Sequence, residues 1–97
     1  MTDDEKRTLD LLEAHHVFPG DYPLTVIALN DEAVTAALVQ SIEEGLGAPL
    51  PAAAREARPS SGGKYVSHRL RVPCAVAADV IRLYARVRRV DGVVTVL

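Results

Sequence analysis

The apolar positions of the chain change period several times, and each change marks an element. Leu9, Leu12 and His16 recur at spacings of three and four, with Leu11 beside them, behind a Thr2-x-x-Glu5 spacing typical of a capping box. This predicts an amphipathic helix from Asp3 to about His15. A helix of that length is marginal alone, so it must dock on its own domain or on a partner. Val17 to Pro23, with two prolines and a glycine, interrupts regular structure and leaves Phe18 and Tyr22 as plugs at the edge of a core. Leu24 to Leu29 is a strand with apolar residues on both faces, which makes it central. Its second face then needs a cover, from the N-terminal helix or from another subunit. Asn30 or Asp31 caps the next helix. Val34, Ala37, Leu38, Ser41 and Ile42 form its buried stripe, and Gly45 or Gly47 closes it.

The second half repeats the alternation of strand and helix. Ala52 to Arg58 has alanines suited to a helix. Arg58 precedes a proline, however, and such a residue is biased to extended conformations, so Ala54 to Arg58 is read as a strand. Ser60-Ser61-Gly62-Gly63 is a hairpin turn. From Lys64 to Val72 the residues alternate: Val66, His68, Leu70 and Val72 face one way, and Tyr65, Ser67, Arg69 and Arg71 the other. Pro73 ends this strand. Ala75 to Arg88 is a helix that buries Val76, Val80, Leu83, Tyr84 and Val87 and displays Asp79, Arg82, Arg86 and Arg89. Asp91-Gly92 turns the chain into a last strand, Val93 to Leu97.

The order predicts an α+β fold: a ferredoxin-like βαββαβ two-layer sandwich with an extra N-terminal helix. Right-handed crossovers give an antiparallel sheet of strand order 4-1-3-2 with both helices on one face. Residues 1–16 are the N-terminal helix, and 17–97 a single ferredoxin-like domain.

With the elements placed, the sequence resembles the YbeD-like proteins, small bacterial proteins of unknown function. The residues that carry the resemblance are Phe18-Pro19, Tyr22 to Ile27 and, most specifically, the hairpin Arg58 to Ser67. The ending Tyr84 to Val87 and Val90 to Leu97 also fits. The resemblance implies a fold similar to ACT regulatory domains, which bind small molecules between subunits, and hence a regulatory or interaction role. Ala28, near where an ACT-type ligand loop calls for glycine, departs from that pattern, and Gly20 and the pair His15-His16 depart from what the YbeD-like family implies.

Charge sharpens this picture. Residues 1–48 hold ten acids and two bases, and residues 49–97 three acids and nine bases. Such asymmetry marks either a partner surface or acidic and basic elements that are neighbours in the fold. No apolar run approaches the ~20 residues of a membrane span. The acidic opening lacks the pattern of a secretory signal. A single cysteine, Cys74, fits a reducing compartment, so a cytoplasmic protein without membrane contact is expected.

Candidate chemistry gathers at the hairpin. Arg58, Ser60, Ser61, Gly62 and Lys64 offer a lysine, an arginine, two hydroxyls and free N–H groups to an anion, or else only a turn's geometry. Tyr65, Arg69 and Arg71 add a basic sheet face. Single-stranded nucleic acid is the weaker alternative, because stacking needs aromatic rings on the first strand too, and its positions are aliphatic. His15, His16, His68 and Cys74 lack metal-ligand spacing, and of the hydroxyls near a base, Ser60, Ser61 and Ser67 around His68, the adjacent one points to the opposite face of the strand. The expectation is a non-catalytic, ACT-like regulatory or interaction module without cofactor or metal. It would be a homodimer through strand edges or the open sheet face, acting on an unidentified protein or small metabolite.

Overall fold

The computed structural model describes residues 2–97. Its elements are α1 (Asp3–His15), β1 (Gly20–Leu29), α2 (Glu32–Leu46), a 3-10 turn at Ala52–Ala54, β2 (Arg55–Pro59), β3 (Tyr65–Cys74), α3 (Ala77–Arg88) and β4 (Val93–Val96). The four strands form one antiparallel sheet in the order β2-β3-β1-β4, which is the order expected of a ferredoxin-like fold. Leu24 and Val26 of β1 meet Leu70 and Val72 of β3 on one sheet face. Leu38 and Ile42 of α2 and Val80, Leu83 and Val87 of α3 close that face into the core.

Both strands of the central pair run through prolines taken in the sequence as breaks. β1 begins at Gly20, not Leu24, and β3 ends at Cys74, not Val72. The reason is the direction of the missing N–H. Thr25 exchanges both backbone hydrogen bonds with Leu97, at 3.3 and 2.7 Å, so its N–H points to the β4 side. The two-residue repeat turns the nitrogen of Pro23 the same way, where no β4 residue stands opposite it. By the same alternation the nitrogen of Pro73 points to the β2 side, beyond Arg55, where the β2–β3 pairing begins. Neither proline removes a ladder bond. Pairing beyond Leu24 and Leu70, not local propensity, extends these strands.

The helix ends follow capping rules. Thr2 Oγ1 accepts from Glu5 N–H at 3.1 Å, and Asp31 Oδ1 accepts from Ala33 N–H at 2.7 Å. Gly47, at φ 68°, closes α2. Val76 is not a core residue: it sits at the N-cap of α3, half exposed, and the helix starts two residues later than expected. Asp79 turns back to accept from the N–H groups of Ala75 and Val76, at 2.9 and 3.2 Å. Ala37 of α2 is likewise exposed, outside the stripe expected to be buried.

The charge asymmetry has a local counterpart in the helix layer. The acidic end of α2 meets basic α3, with Glu44 3.9 Å from Arg86. Helix α1 buries no residue fully; Leu12 rests on the core margin and the His16 ring lies 4.8 Å from the Tyr22 ring. Phe18 and Tyr22 do plug that margin. Because α1 docks beside α3, it leaves the second face of β1 uncovered, contrary to one of the two covers foreseen for it.

Candidate functional site

The hairpin tip is built by backbone bonds. Ser60 N–H donates to Tyr65 C=O at 2.8 Å, Gly63 N–H to Ser60 C=O at 2.9 Å, and Tyr65 N–H to Ser60 Oγ at 3.2 Å. Gly63 alone of the glycine pair takes positive φ, 74°. The tip is also tied down from outside. Asn30, just past β1, donates its side-chain amide to Gly63 C=O at 2.9 Å and its N–H to Lys64 C=O at 3.0 Å. Lys64 belongs to this loop and not to the strand, and its ammonium sits 5.4 Å from the centre of the Tyr65 ring. Thus Ser60 serves its own turn, while Ser61 and Gly62 stand exposed at the tip.

The other candidates divide. Arg58, Tyr65, Arg69 and Arg71 share the open face, with Arg58 opposite Ser67 and Glu56 opposite Arg69. Arg58 and Arg69 line a small cleft of about 190 Å³ with Glu56, Ala57 and Ser67. Arg71 is drawn away, donating to Ala53 C=O. No single site joins the tip to the arginines. The open face instead has two halves. β2 and β3 are basic; β1 and β4 bring Ile27, Leu29, Val94 and, beyond β4, Leu97, of which Val94 and Leu97 are 57% and 64% exposed.

The two sheet edges are unlike. Along β2 the outward backbone belongs to Arg55, Ala57 and Pro59, since Ser60 bonds inward to Tyr65. Pro59 has no N–H and Arg55 N–H is spent on Ala52 C=O, so only Ala57 offers a donor. Along β4, Val96 lies between Thr95 and Leu97, which pair with β1, and turns its N–H and C=O outward. This edge, Val93 to Val96, carries no charge and no proline.

The family model described as protein of unknown function (DUF493) matches residues 13–97. The chain belongs to this family. It is the YbeD-like family to which the hairpin sequence pointed. The DUF493 match takes in every strand and begins within α1, at Glu13. No curated protein matches the chain.

Two titratable groups in this DUF493 protein lie under the sheet. Cys74 is buried, and burial first, then Asp79 and Asp21, pushes its thiol up to about 11. It is a neutral packing residue, not an activated thiolate. His68 is 5% exposed, and its Nε2 has no hydrogen-bond partner. Desolvation, and then the Arg55 charge, lowers its pKa below the ordinary value of 6.5. The unfolded chain therefore takes up this proton first. The contribution of His68 is complete above pH 6.5 and shrinks as pH falls from there through its lower folded pKa. The slope reaches at most ~1.4 kcal/mol per pH unit. His68→Leu is expected to flatten it. Urea midpoints at pH 7.5 and 5 should show the variant gaining on the wild type at the lower pH, and equal pH sensitivity in the two proteins would refute this assignment.

Sequence reasoning missed a further feature. A cleft of about 760 Å³ opens between the C-terminal end of α2 and the Asp79-to-Arg86 face of α3, over the start of β1 and the end of β3. Four elements contribute their ends to it, so no local pattern announces it. The nearest signal is Gly45, a glycine inside a helical stripe, facing Arg86.

Proposed function

We propose that this protein is a non-catalytic regulatory or interaction module of the ACT-like type, working as a homodimer joined along β4. One observation carries the proposal: the β4 edge is uncharged, rich in valine and free of proline, with the Val96 N–H and C=O outward, whereas the β2 edge carries Arg55, Glu56, Arg58 and Pro59. An open apolar edge is a template for strand addition. A second copy is the natural occupant because antiparallel β4–β4 pairing is two-fold symmetric. It sets the aliphatic halves of two open faces side by side and leaves the arginines of β2 and β3 at the outer ends, apart from each other. A non-catalytic role is supported by the state of the candidate nucleophiles: the Cys74 thiol is neutral and Ser60 Oγ is engaged in the turn.

Sedimentation of the wild type at tens of micromolar should give a dimer. Val94→Lys places a charge at the edge, and Val96→Pro removes the outward donor without touching the Thr95 and Leu97 bonds to β1. Each should give a folded monomer. A monomeric wild type, or a dimer that survives both substitutions, overturns the proposal. Nucleic-acid binding has less support: Lys64 already occupies the Tyr65 ring and Arg71 is engaged by Ala53.

A further inference from the structure

The cleft of about 760 Å³ lies on the helix side of the sheet, away from the β4 edge and the open face. Its volume falls within the ~300–1,000 Å³ of small-molecule sites. Half-buried Leu46 and the exposed Pro19, Ala48, Pro49 and Pro73 make most of its surface apolar, over a floor closed by the buried Ile42, Val72 and Leu83. Its charges are few and unequal in availability. Asp79 holds Arg82 and also accepts from the N–H groups that open α3, so both members of that pair are engaged. Arg86 differs. Its side chain lies across α2 at Gly45, where an added Cβ would come within 2.9 Å of Nε and 3.1 Å of Cδ. Its only carboxylate neighbour among the described residues is Glu44, 3.9 Å away, and both side chains face solvent. Such a pair is weak, and its guanidinium keeps donors to offer.

Gly45 gives this placement its meaning. A glycine inside a helix costs about 1 kcal/mol relative to alanine. Here the missing side chain is the space the Arg86 stem occupies. The guanidinium is thereby fixed at an apolar cavity, the arrangement that recognises one planar anion on a greasy body. Asp21 and Asp79 also border the cleft and would repel a second negative charge.

We propose that this cleft binds a small monocarboxylic acid with an apolar body, its carboxylate held by Arg86 and its hydrocarbon laid over Leu46, Pro49, Pro73 and the edge of Leu83. The carboxylate displaces Glu44 as the partner of Arg86, and the body displaces water from the apolar floor. A dicarboxylate or a phosphate fits worse, because its further charge approaches Asp21 and Asp79.

The test is an NMR titration of the full chain with decanoate, decanol and the dicarboxylate sebacate, all below micelle-forming concentrations. Decanoate should shift the amides of Gly20, Gly45, Leu46 and Cys74 saturably, and sebacate should bind more weakly. Arg86→Leu should weaken decanoate at least tenfold and leave decanol unchanged. Ala48→Trp, at an exposed position of the cleft lining, should block both ligands while far-UV circular dichroism shows the fold retained. The proposal is overturned if no shift saturates, if the shifts fall on Leu29, Val94 and Leu97 instead, or if Arg86→Leu binds decanoate as the wild type does. Unchanged decanoate binding by Ala48→Trp would also place the site elsewhere. Because the readout is local to the helix side, its failure leaves the β4 dimer standing, and the reverse holds too.

Discussion

Leu38→Ala should lower the free energy of unfolding by about 3 kcal/mol, within the ~2–5 kcal/mol typical of a fully buried leucine. Leu38 has no exposed surface and sits in the middle of α2, where it joins that helix to the sheet face formed by β1 and β3. Truncation removes transfer energy and leaves a cavity that the surrounding residues fill only partly, because β-branched Val26 and Val72 have little rotamer freedom. For a domain of this size the change amounts to a drop in Tm of about 12–24 °C. It is a large share of the ~5–15 kcal/mol that holds such a domain together. Urea unfolding at one fixed protein concentration measures it, since self-association would otherwise add to stability. Leu11→Ala, at a position 55% exposed, should stay within ~0.5 kcal/mol of the wild type. A loss below ~1 kcal/mol for Leu38→Ala would mean that α2 does not seal the core as described.

Gly92→Ala should cost nearly as much, about 2–4 kcal/mol, for two reasons that add. Gly92 has φ 93°, which an L side chain rarely adopts. A Cβ there would also come within 2.6 Å of Val34 Cγ2 and 2.8 Å of Val34 Cγ1. Val34 stands in the first turn of α2 with a stiff χ1, so it cannot swing away. The turn must move instead, stretching the 2.9 Å bond from Leu29 N–H to Gly92 C=O that holds the start of β4 on β1. Other glycines provide the scale. Gly47, at φ 68° with open space around it, should cost only ~1 kcal/mol as alanine. Gly62 has neither positive φ nor a neighbour within 4 Å, so its alanine variant should be neutral or slightly stabilising. Equal losses at Gly62 and Gly92 in thermal melts would contradict the packing of this turn on Val34.

The order of these elements was legible because each periodic stretch is bounded by its own signal: Asp31 before α2, Gly47 after it, Gly63 at the hairpin and Gly92 before β4. The alternation from Val66 to Val72 placed His68 correctly among the core residues despite its polarity. What local sequence could not convey was which edge of a strand is partnered. A proline stops a strand only where its N–H is wanted, and that depends on how far β4 and β2 reach along their neighbours. Val76 shows the same limit. It is apolar and in phase with the helix, but Asp79 caps the chain there and leaves it outside. The hairpin was legible as a turn: the Ser60 hydroxyl and the N–H groups of Ser60 and Gly63 go into making it, while Ser61 and Gly62 stay exposed at its tip. The cleft was illegible for a different reason: it lies between element ends that are distant in sequence, joined by Gly45 and Arg86.

The position of β1 in the sheet bears on how the chain can be made. Both neighbours of β1 come from the second half of the sequence, beginning at Tyr65 and Val93. Until Tyr65 and the residues after it emerge, Leu24 to Leu29 has neither partner, and its apolar faces stay open to solvent or to other nascent chains. Loop closure over such separations slows the search for native pairing. Thr25 is the one polar residue of that run, and acidic segments flank it on both sides, the kind of pattern that limits association of an unpaired apolar strand.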